Sequence, residues 1–187
     1  MAIADIVCRG LWGSPAANGF VITLGYCSAW SSVYGRVLLA TQQGIQSLAL
    51  DGIDPTSIIV QKLPVDRQLG AADGIPLPAI LITPAGETVD PASGTNLLDD
   101  VTYAVRVTLF DRDNQEPTLV ANMDRYLLWR ERIARTFRNQ TLAAVPEIYT
   151  TTLDPGEVVD DTAWQNNLFA SVLTLRFVSR EPRGAGI

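Results

Sequence analysis

The chain has 187 residues, of which 47% are hydrophobic and 18% charged, and its formal net charge is −6. That length gives one domain whose core needs no disulfide or structural metal, and the apolar content excludes intrinsic disorder. Histidine is absent, which excludes Ser-His-Asp and Cys-His catalytic groups and His-ligated metal sites, while the acidic balance gives no general attraction for nucleic-acid phosphates.

Residues 1–31 are predicted to form an apolar N-terminal hairpin arm. No charged side chain occurs from residue 10 to residue 35, but glycine, serine and proline interrupt this run too often for a membrane-spanning helix. Two strands, at 4–12 and 19–30, are the better interpretation. Because an isolated hairpin is marginal in water, we expect it to lie on its own domain or on a neighbouring subunit.

The two cysteines, Cys8 and Cys27, both fall in this arm. They have neither the spacing nor the number of partners of a structural zinc site. A disulfide between the two strands is an alternative, but Asp5 stands where a secretory signal has positive charge, which favours reduced thiols and synthesis in the cytoplasm. We expect no metal and no cofactor.

Residues 32–180 are predicted to form one α+β domain. Apolar residues at spacings of three and four predict an opening helix over 33–50. Runs of β-branched or alternating apolar residues then predict strands at 56–63, 77–83 and 101–110. Stretches rich in Gly, Pro, Asp and Thr predict long loops at 66–74 and 84–98.

A second helix is predicted over 117–139, followed by strands at 147–152 and 168–179. The order is therefore a hairpin and then α-β-β-β-α-β-β, which predicts a mostly antiparallel sheet with both helices packed on one face. Residues 181–187 are expected to form a flexible C-terminal tail. The apolar face of the second helix is assigned to Leu119, Met123, Tyr126, Leu127, Ile133, Ala134 and Phe137.

Acidic motifs provide weak catalytic or metal-binding signals. The segment starting at Asp111 resembles a calcium loop, but Glu116 and Asn122 occupy the positions that need glycine and glutamate, so a turn and helix cap is favoured. The pairs Asp99-Asp100 and Asp160-Asp161 are adjacent in sequence. Neighbours on a strand point to opposite faces, so we interpret both pairs as solvated edges rather than acid–base dyads.

The second helix carries five arginines but only two acidic residues, Asp124 and Glu131, and the spacing of Glu131 from Arg135 predicts an ion pair. A solvated surface, a contact with another subunit and a nucleic-acid footprint are all open; the last lacks the interleaved aromatic residues of single-strand binders. We assign the candidate subunit interface to Arg125, Trp129, Arg132, Arg135 and Arg138, with Trp12 and Trp30 of the arm.

Six features in a fixed order are familiar from one family. They are the opening helix, the strand ending in Lys62-Leu63-Pro64, the Leu-Pro-Ala-Ile-Leu-Ile run at 77–82, the Tyr-Ala-Val-Arg-Val strand at 103–107, and the Trp-Arg-Glu-Arg-Ile helix at 129–133, closed by the strand at 173–181. In this pattern and element order, residues 33–183 resemble the tail terminator and tail-completion proteins of long-tailed bacteriophages. The first 30 residues have no counterpart in that pattern.

The resemblance implies a structural virion protein and no enzyme. Such a protein forms a ring, commonly a hexamer, that terminates the tail tube and joins it to the head–neck, with DNA passing through the ring. Its implied partners are its own copies, the tail-tube protein and the neck or connector proteins, with no membrane and no sequence-specific nucleic acid. The alternatives are another head–tail connector, neck or baseplate component, or a small enzyme that uses carboxylates alone.

Overall fold

The computed structural model describes residues 31–62, 75–95, 97–112, 122–160, 163 and 168–183. The predicted strands of the arm, with Cys8, Cys27, Trp12 and Trp30, lie outside these residues, as does the whole of the predicted loop at 66–74.

Two helices and five strands form the domain. They are α1 (Val33–Ser47), β1 (Ile58–Val60, after a 3₁₀ turn at Pro55–Ser57), β2 (Ala79–Thr95), β3 (Leu98–Arg112), α2 (Met123–Phe137), β4 (Ile148–Asp154) and β5 (Leu168–Pro182). The order matches the predicted α-β-β-β-α-β-β, and the α+β fold class is confirmed.

The five strands make one sheet in the order β1-β2-β3-β5-β4. β1 runs parallel to β2, and the other three pairings are antiparallel. β3 and β5 pair along their whole length, from Leu98 opposite Pro182 to Arg112 opposite Leu168. These two strands form the centre against which the shorter strands and both helices are positioned.

Side chains along the central strands point alternately to the two faces of the sheet, one of which is covered by the helices while the other is open. On β3 the odd-numbered residues from Val101 to Leu109 are buried in the same cluster as the inner faces of both helices. The same cluster takes Phe169, Leu173, Leu175 and Phe177 from β5, as the period of two predicts. Both helices therefore pack on one face of a mostly antiparallel sheet.

Helix α1 begins where the sequence indicates it should. The Ser32 hydroxyl accepts a hydrogen bond from the Gly35 amide at 3.1 Å and caps the helix, which satisfies one of the amides that a helix start leaves unpaired. Gly44 allows α1 to approach α2 closely, because a Cβ there would lie 2.7 Å from Cζ of Phe137. Neither described helix is long and apolar enough to span a membrane.

The prediction of a long loop at 84–98 is wrong, because β2 continues through this segment to Thr95 and pairs with β3. The strand tolerates Pro84 by means of a bulge: Pro84 pairs with Val105 and Gly86 with Ala104, so Ala85 is the extra residue. Gly86 has φ +137°, a conformation that side chains disfavour.

Tyr34 of α1 completes this bulge from the helix-covered side. Its hydroxyl accepts hydrogen bonds from the amides of Ala85 and Gly86 at 3.0 and 3.2 Å, and donates to the carbonyl oxygen of Ala104. The ring lies 5.1 Å from that of Tyr103. The start of α1 is therefore fastened to the middle of β2.

Two further boundaries differ from the predictions. β1 spans only three residues of the predicted 56–63 strand, because the first residues of that segment belong to a 3₁₀ turn that starts at Asp54 and Pro55. β5 extends to Pro182 instead of ending at 179, so the predicted tail from 181 begins too early. Glu181 holds this end in place because its carboxylate accepts hydrogen bonds from Tyr103 and Ser179, at 2.6 and 2.7 Å.

Candidate subunit interface

The side of α2 that faces away from the sheet carries two exposed leucines among charged residues. Leu127 and Leu128 are 44% and 45% exposed, although large apolar side chains on a helix normally face the core. We call this surface the outer α2 face, which consists of Leu127, Leu128, Glu131, Arg132, Arg135 and Arg138.

The charged residues of the outer α2 face are arranged by local contacts. Arg135 forms the predicted ion pair with Glu131, at 2.5 Å, while 79% of its side chain is exposed. Arg132 donates to the carbonyl oxygen of Leu48 at 2.9 Å and so satisfies an acceptor at the C-terminal end of α1. Arg138 is exposed just beyond the last turn of α2. These three arginines present positive charge beside the two leucines.

Trp129, predicted as an interface residue, belongs to the core of its own chain. It is 1% exposed, and its indole Nε1 donates to the carbonyl oxygen of Asp51 at 3.0 Å. The sequence pattern predicted Leu127 on the core face of α2 and Trp129 on the surface. In the structure these two positions are reversed. The predicted apolar face was therefore wrong by part of a turn around the helix axis. The residues that point inward are Tyr126, Trp129, Ile133 and Phe137.

Arg125 is also held within the chain. Its guanidinium pairs with the Asp111 carboxylate at 2.6 Å and lies 5.1 Å from the centre of the Trp129 ring. Asp111, which is only 6% exposed, accepts a second hydrogen bond from Tyr126 at 3.2 Å. Asp111 therefore ties the start of α2 to the end of β3, and the Arg125 side chain packs over the core.

Arg130 is buried, which the count of arginines on α2 did not indicate. It is 7% exposed and donates to the carbonyl oxygens of Pro155, Glu157 and Val172 and to the hydroxyl of Ser171. Burial lowers the pKa of this guanidinium, and the four acceptors compensate for the lost solvation. Arg130 thus joins α2 to β5 and to the turn after β4.

Of the two predicted acidic pairs, Asp99-Asp100 is bound to arginines. Asp100 is 6% exposed and accepts two hydrogen bonds from Arg180, at 2.8 and 3.1 Å, while Asp99 pairs with Arg183 at 2.5 Å. The prediction that this pair forms a solvated edge is therefore wrong, because both carboxylates cross-link β3 to the end of β5. Asp160 accepts from the amide of Ala163 at 3.1 Å, and Asp161 lies outside the described residues.

A second polar group fastens α1 to the segment before β4. Arg36 binds both carboxylate oxygens of Glu147, at 2.6 and 3.2 Å, and this contact lowers the pKa of Glu147. Nearby, burial first and the hydrogen bond to Glu181 second raise the pKa of Tyr103, so its hydroxyl remains a donor. Among the described residues no three acidic groups lie close enough together to hold a metal ion.

The distal part of β2 is the second exposed surface. Residues 84–90 are all exposed, and they include Glu87, Asp90 and Val89, which is 54% exposed. β1 covers the outer edge of β2 only from Ile80 to Ile82. We call residues 84–90 the distal β2 edge; its character is acidic and partly apolar, opposite in charge to the outer α2 face.

The open sheet face is the third exposed surface. Toward one end it buries Ala79, Leu81, Phe110 and Ala170 in a small apolar cluster. The remainder carries threonines and exposed arginines, among which Arg180 pairs with Asp100 and Arg176 lies 3.6 Å from Asp154. Another of them, Arg106, stands between Thr83 and Thr174 in the cross-strand register.

Comparison of the sequence with protein-family models and with curated proteins finds no match.

Proposed function

We propose that this chain is a structural subunit that assembles with its own copies into a closed ring. The observation that carries the proposal is the pair of exposed leucines, Leu127 and Leu128, on a helix that also presents Arg132, Arg135 and Arg138. Exposed leucine beside arginine is a composition typical of protein–protein interfaces. Burying the two half-exposed leucines contributes roughly 1 kcal/mol each.

The distal β2 edge supplies a surface of complementary character. It presents Glu87, Asp90 and the exposed Val89, so positive and apolar groups on one protomer have negative and apolar counterparts on another. Two different surfaces on one chain produce head-to-tail contacts, which close into a ring when the rotation per subunit divides a full turn. In a closed ring every such surface contacts a neighbouring protomer.

We further propose that the ring terminates the tail tube of a long-tailed bacteriophage and joins it to the head–neck. The support for this finer assignment is the resemblance in element order between residues 33–183 and the tail terminator proteins. Contacts with the tail-tube protein and with neck proteins follow from that role, and the protein is then a virion component made in the bacterial cytoplasm.

Replacing both exposed leucines by serine tests the ring. In Leu127→Ser/Leu128→Ser we expect the oligomer, a hexamer of six 20.3 kDa subunits, to dissociate to the monomer in native mass spectrometry, with an unchanged thermal unfolding transition. Val158→Ser is the matched control, because Val158 is equally exposed, at 43%, on the turn after β4. A monomeric unsubstituted chain, or an oligomer that survives the double substitution, contradicts the proposal.

The position of the protein in a phage particle tests the finer assignment. Antibody labelling of assembled particles is expected to mark the junction of tail tube and head. Label at the baseplate, or on the portal side of the neck away from the tube, would replace the terminator role by another connector or baseplate role and leave the ring intact.

A further inference from the structure

We infer that the distal β2 edge receives the N-terminal arm of a neighbouring copy as an added strand. The inference rests on the proposed ring and names one of its contacts. Among the strands that the structure describes, β1 is the one that pairs with the outer side of β2, and it covers only one end of this long strand. Beyond Ile82, whose carbonyl oxygen accepts from the Gln61 amide at 2.9 Å, no described strand pairs with that side of β2.

An uncovered strand edge leaves backbone amides and carbonyls without strand partners. In an antiparallel ladder every second residue turns these groups away from its partner strand, so the segment from Gly86 to Val89, which pairs residue by residue with β3, offers such groups on the side opposite β3. Proteins normally shorten, charge or cover such an edge, because it otherwise recruits other chains. Glu87 and Asp90 supply some charge, but the strand also exposes Val89 and continues for several residues.

The arm has the composition of a strand that could cover this edge. Its predicted second strand, 19–30, is rich in β-branched and aromatic residues and carries no charge. Strand addition of this kind obtains its affinity from main-chain hydrogen bonds, which do not depend on charged side chains. This uncharged second strand is also not repelled by Glu87 and Asp90, as an acidic one would be.

The place where the arm leaves the domain points to the same part of the molecule. Ser32 caps α1, and two residues later the hydroxyl of Tyr34 binds the amides of Ala85 and Gly86. The arm therefore departs beside the distal β2 edge. The edge and the root of the arm can therefore lie in the same contact between two protomers. An arm that leaves one protomer there is close to the edge of the next.

A neighbouring copy is the occupant we assign, because residues 84–90 are exposed in the single chain. Residues 19–30 reach about 40 Å when they are extended, which is enough to cross to the edge of an adjacent subunit that lies beside the root of the arm. In a closed ring each protomer then donates one arm and receives one, so that no edge is left uncovered.

Photo-cross-linking from the edge tests the inference in the full-length protein. Val89→p-benzoylphenylalanine places a reactive group on the distal β2 edge, and Val158→p-benzoylphenylalanine is the control at a similarly exposed valine. Each unlabelled variant is co-assembled with unsubstituted, ¹⁵N-labelled chain, irradiated and digested with trypsin. Because Arg9 and Arg36 are consecutive cleavage sites, the second strand of the arm is recovered in one peptide, 10–36.

We expect position 89, but not position 158, to cross-link to ¹⁵N-labelled peptide 10–36. Cross-links from position 89 to peptides of α2 report the proposed contact with the outer α2 face and are compatible with the arm beside it. Cross-links to unlabelled peptide 10–36 alone mean that each chain covers its own edge, and the absence of any cross-link to peptide 10–36, or equal yields at both positions, means that the arm does not bind there; either result overturns the inference. The oligomer mass of the same samples is measured separately. A ring that forms without the cross-link leaves the proposed function standing, whereas a monomer removes both.

Discussion

Arg130 illustrates how little a residue type reveals about its role on a helix. Five arginines lie between residues 125 and 138, yet Arg130 is buried with four acceptors while Arg135 is almost fully exposed. The partners of Arg130 lie 25 to 42 residues away in sequence. Nothing near Arg130 in the sequence signals these contacts, so the distinction between a structural and a surface arginine comes only from the fold.

Removing the Arg130 guanidinium is expected to destabilise the domain strongly. Arg130→Leu removes the hydrogen bonds to the Ser171 hydroxyl and to three carbonyl oxygens, of which that of Glu157 also accepts from the Val172 amide. We expect a loss of about 2–4 kcal/mol in the free energy of unfolding measured with urea. Arg135→Leu is the control, because its exposed pair with Glu131 contributes at most about 0.5 kcal/mol. Equal effects of the two substitutions would show that the buried contacts do not stabilise the fold.

At the scale of elements, β2 and α2 depart most from the predictions, for two different physical reasons. Gly, Pro and Asp normally interrupt strands, so the composition of residues 84–98 predicts a loop. The structure keeps the strand because β3 offers partners as far as Asp90 and again at Thr95, and because the bulge at Ala85 lets the strand continue past Pro84. In α2 the helix itself was predicted, but an error of part of a turn in its rotation exchanged Leu127 with Trp129.

The bulge of β2 provides a test at this scale. Tyr34→Phe removes the hydroxyl that binds the amides of Ala85 and Gly86 and the carbonyl of Ala104. We expect a loss of about 1–2 kcal/mol in unfolding free energy and faster hydrogen exchange at those two amides. Tyr149→Phe, which removes a single hydrogen bond to Asp100 from a side chain that is 44% exposed, is the control. Unchanged exchange at Ala85 and Gly86 would mean that the bulge holds its shape without Tyr34.

For the whole molecule, the order of elements and the fold class were predictable because they follow from periodicity. Alternation on β3 and β5 and the three-four spacing on α1 are properties of local sequence, and each is borne out in the core. The candidate interface was predictable only in part. Arg132, Arg135 and Arg138 lie on the exposed surface, whereas Arg125 and Trp129 are used inside the chain.

The opposite charges of the two proposed contact surfaces lead to a prediction about salt and assembly. Arg135→Glu/Arg138→Glu on the outer α2 face is expected to weaken self-association measured by sedimentation. The self-association of the unsubstituted chain is also expected to weaken with added salt, because the screening length falls from about 10 Å at 0.1 M to about 3 Å at 1 M. Arg176→Glu, on the open sheet face, is the control. Self-association that resists both salt and charge reversal would assign the contact to apolar groups alone.

The complete pairing of β3 with β5 has a mechanical consequence. Both strands have 15 residues and match from end to end, which makes a double-stranded rod about 50 Å long. A pull that slides one strand lengthwise past the other stretches all the hydrogen bonds between them at once, whereas a pull at right angles opens them one after another. The domain therefore resists unfolding by tension most strongly along the length of β3 and β5.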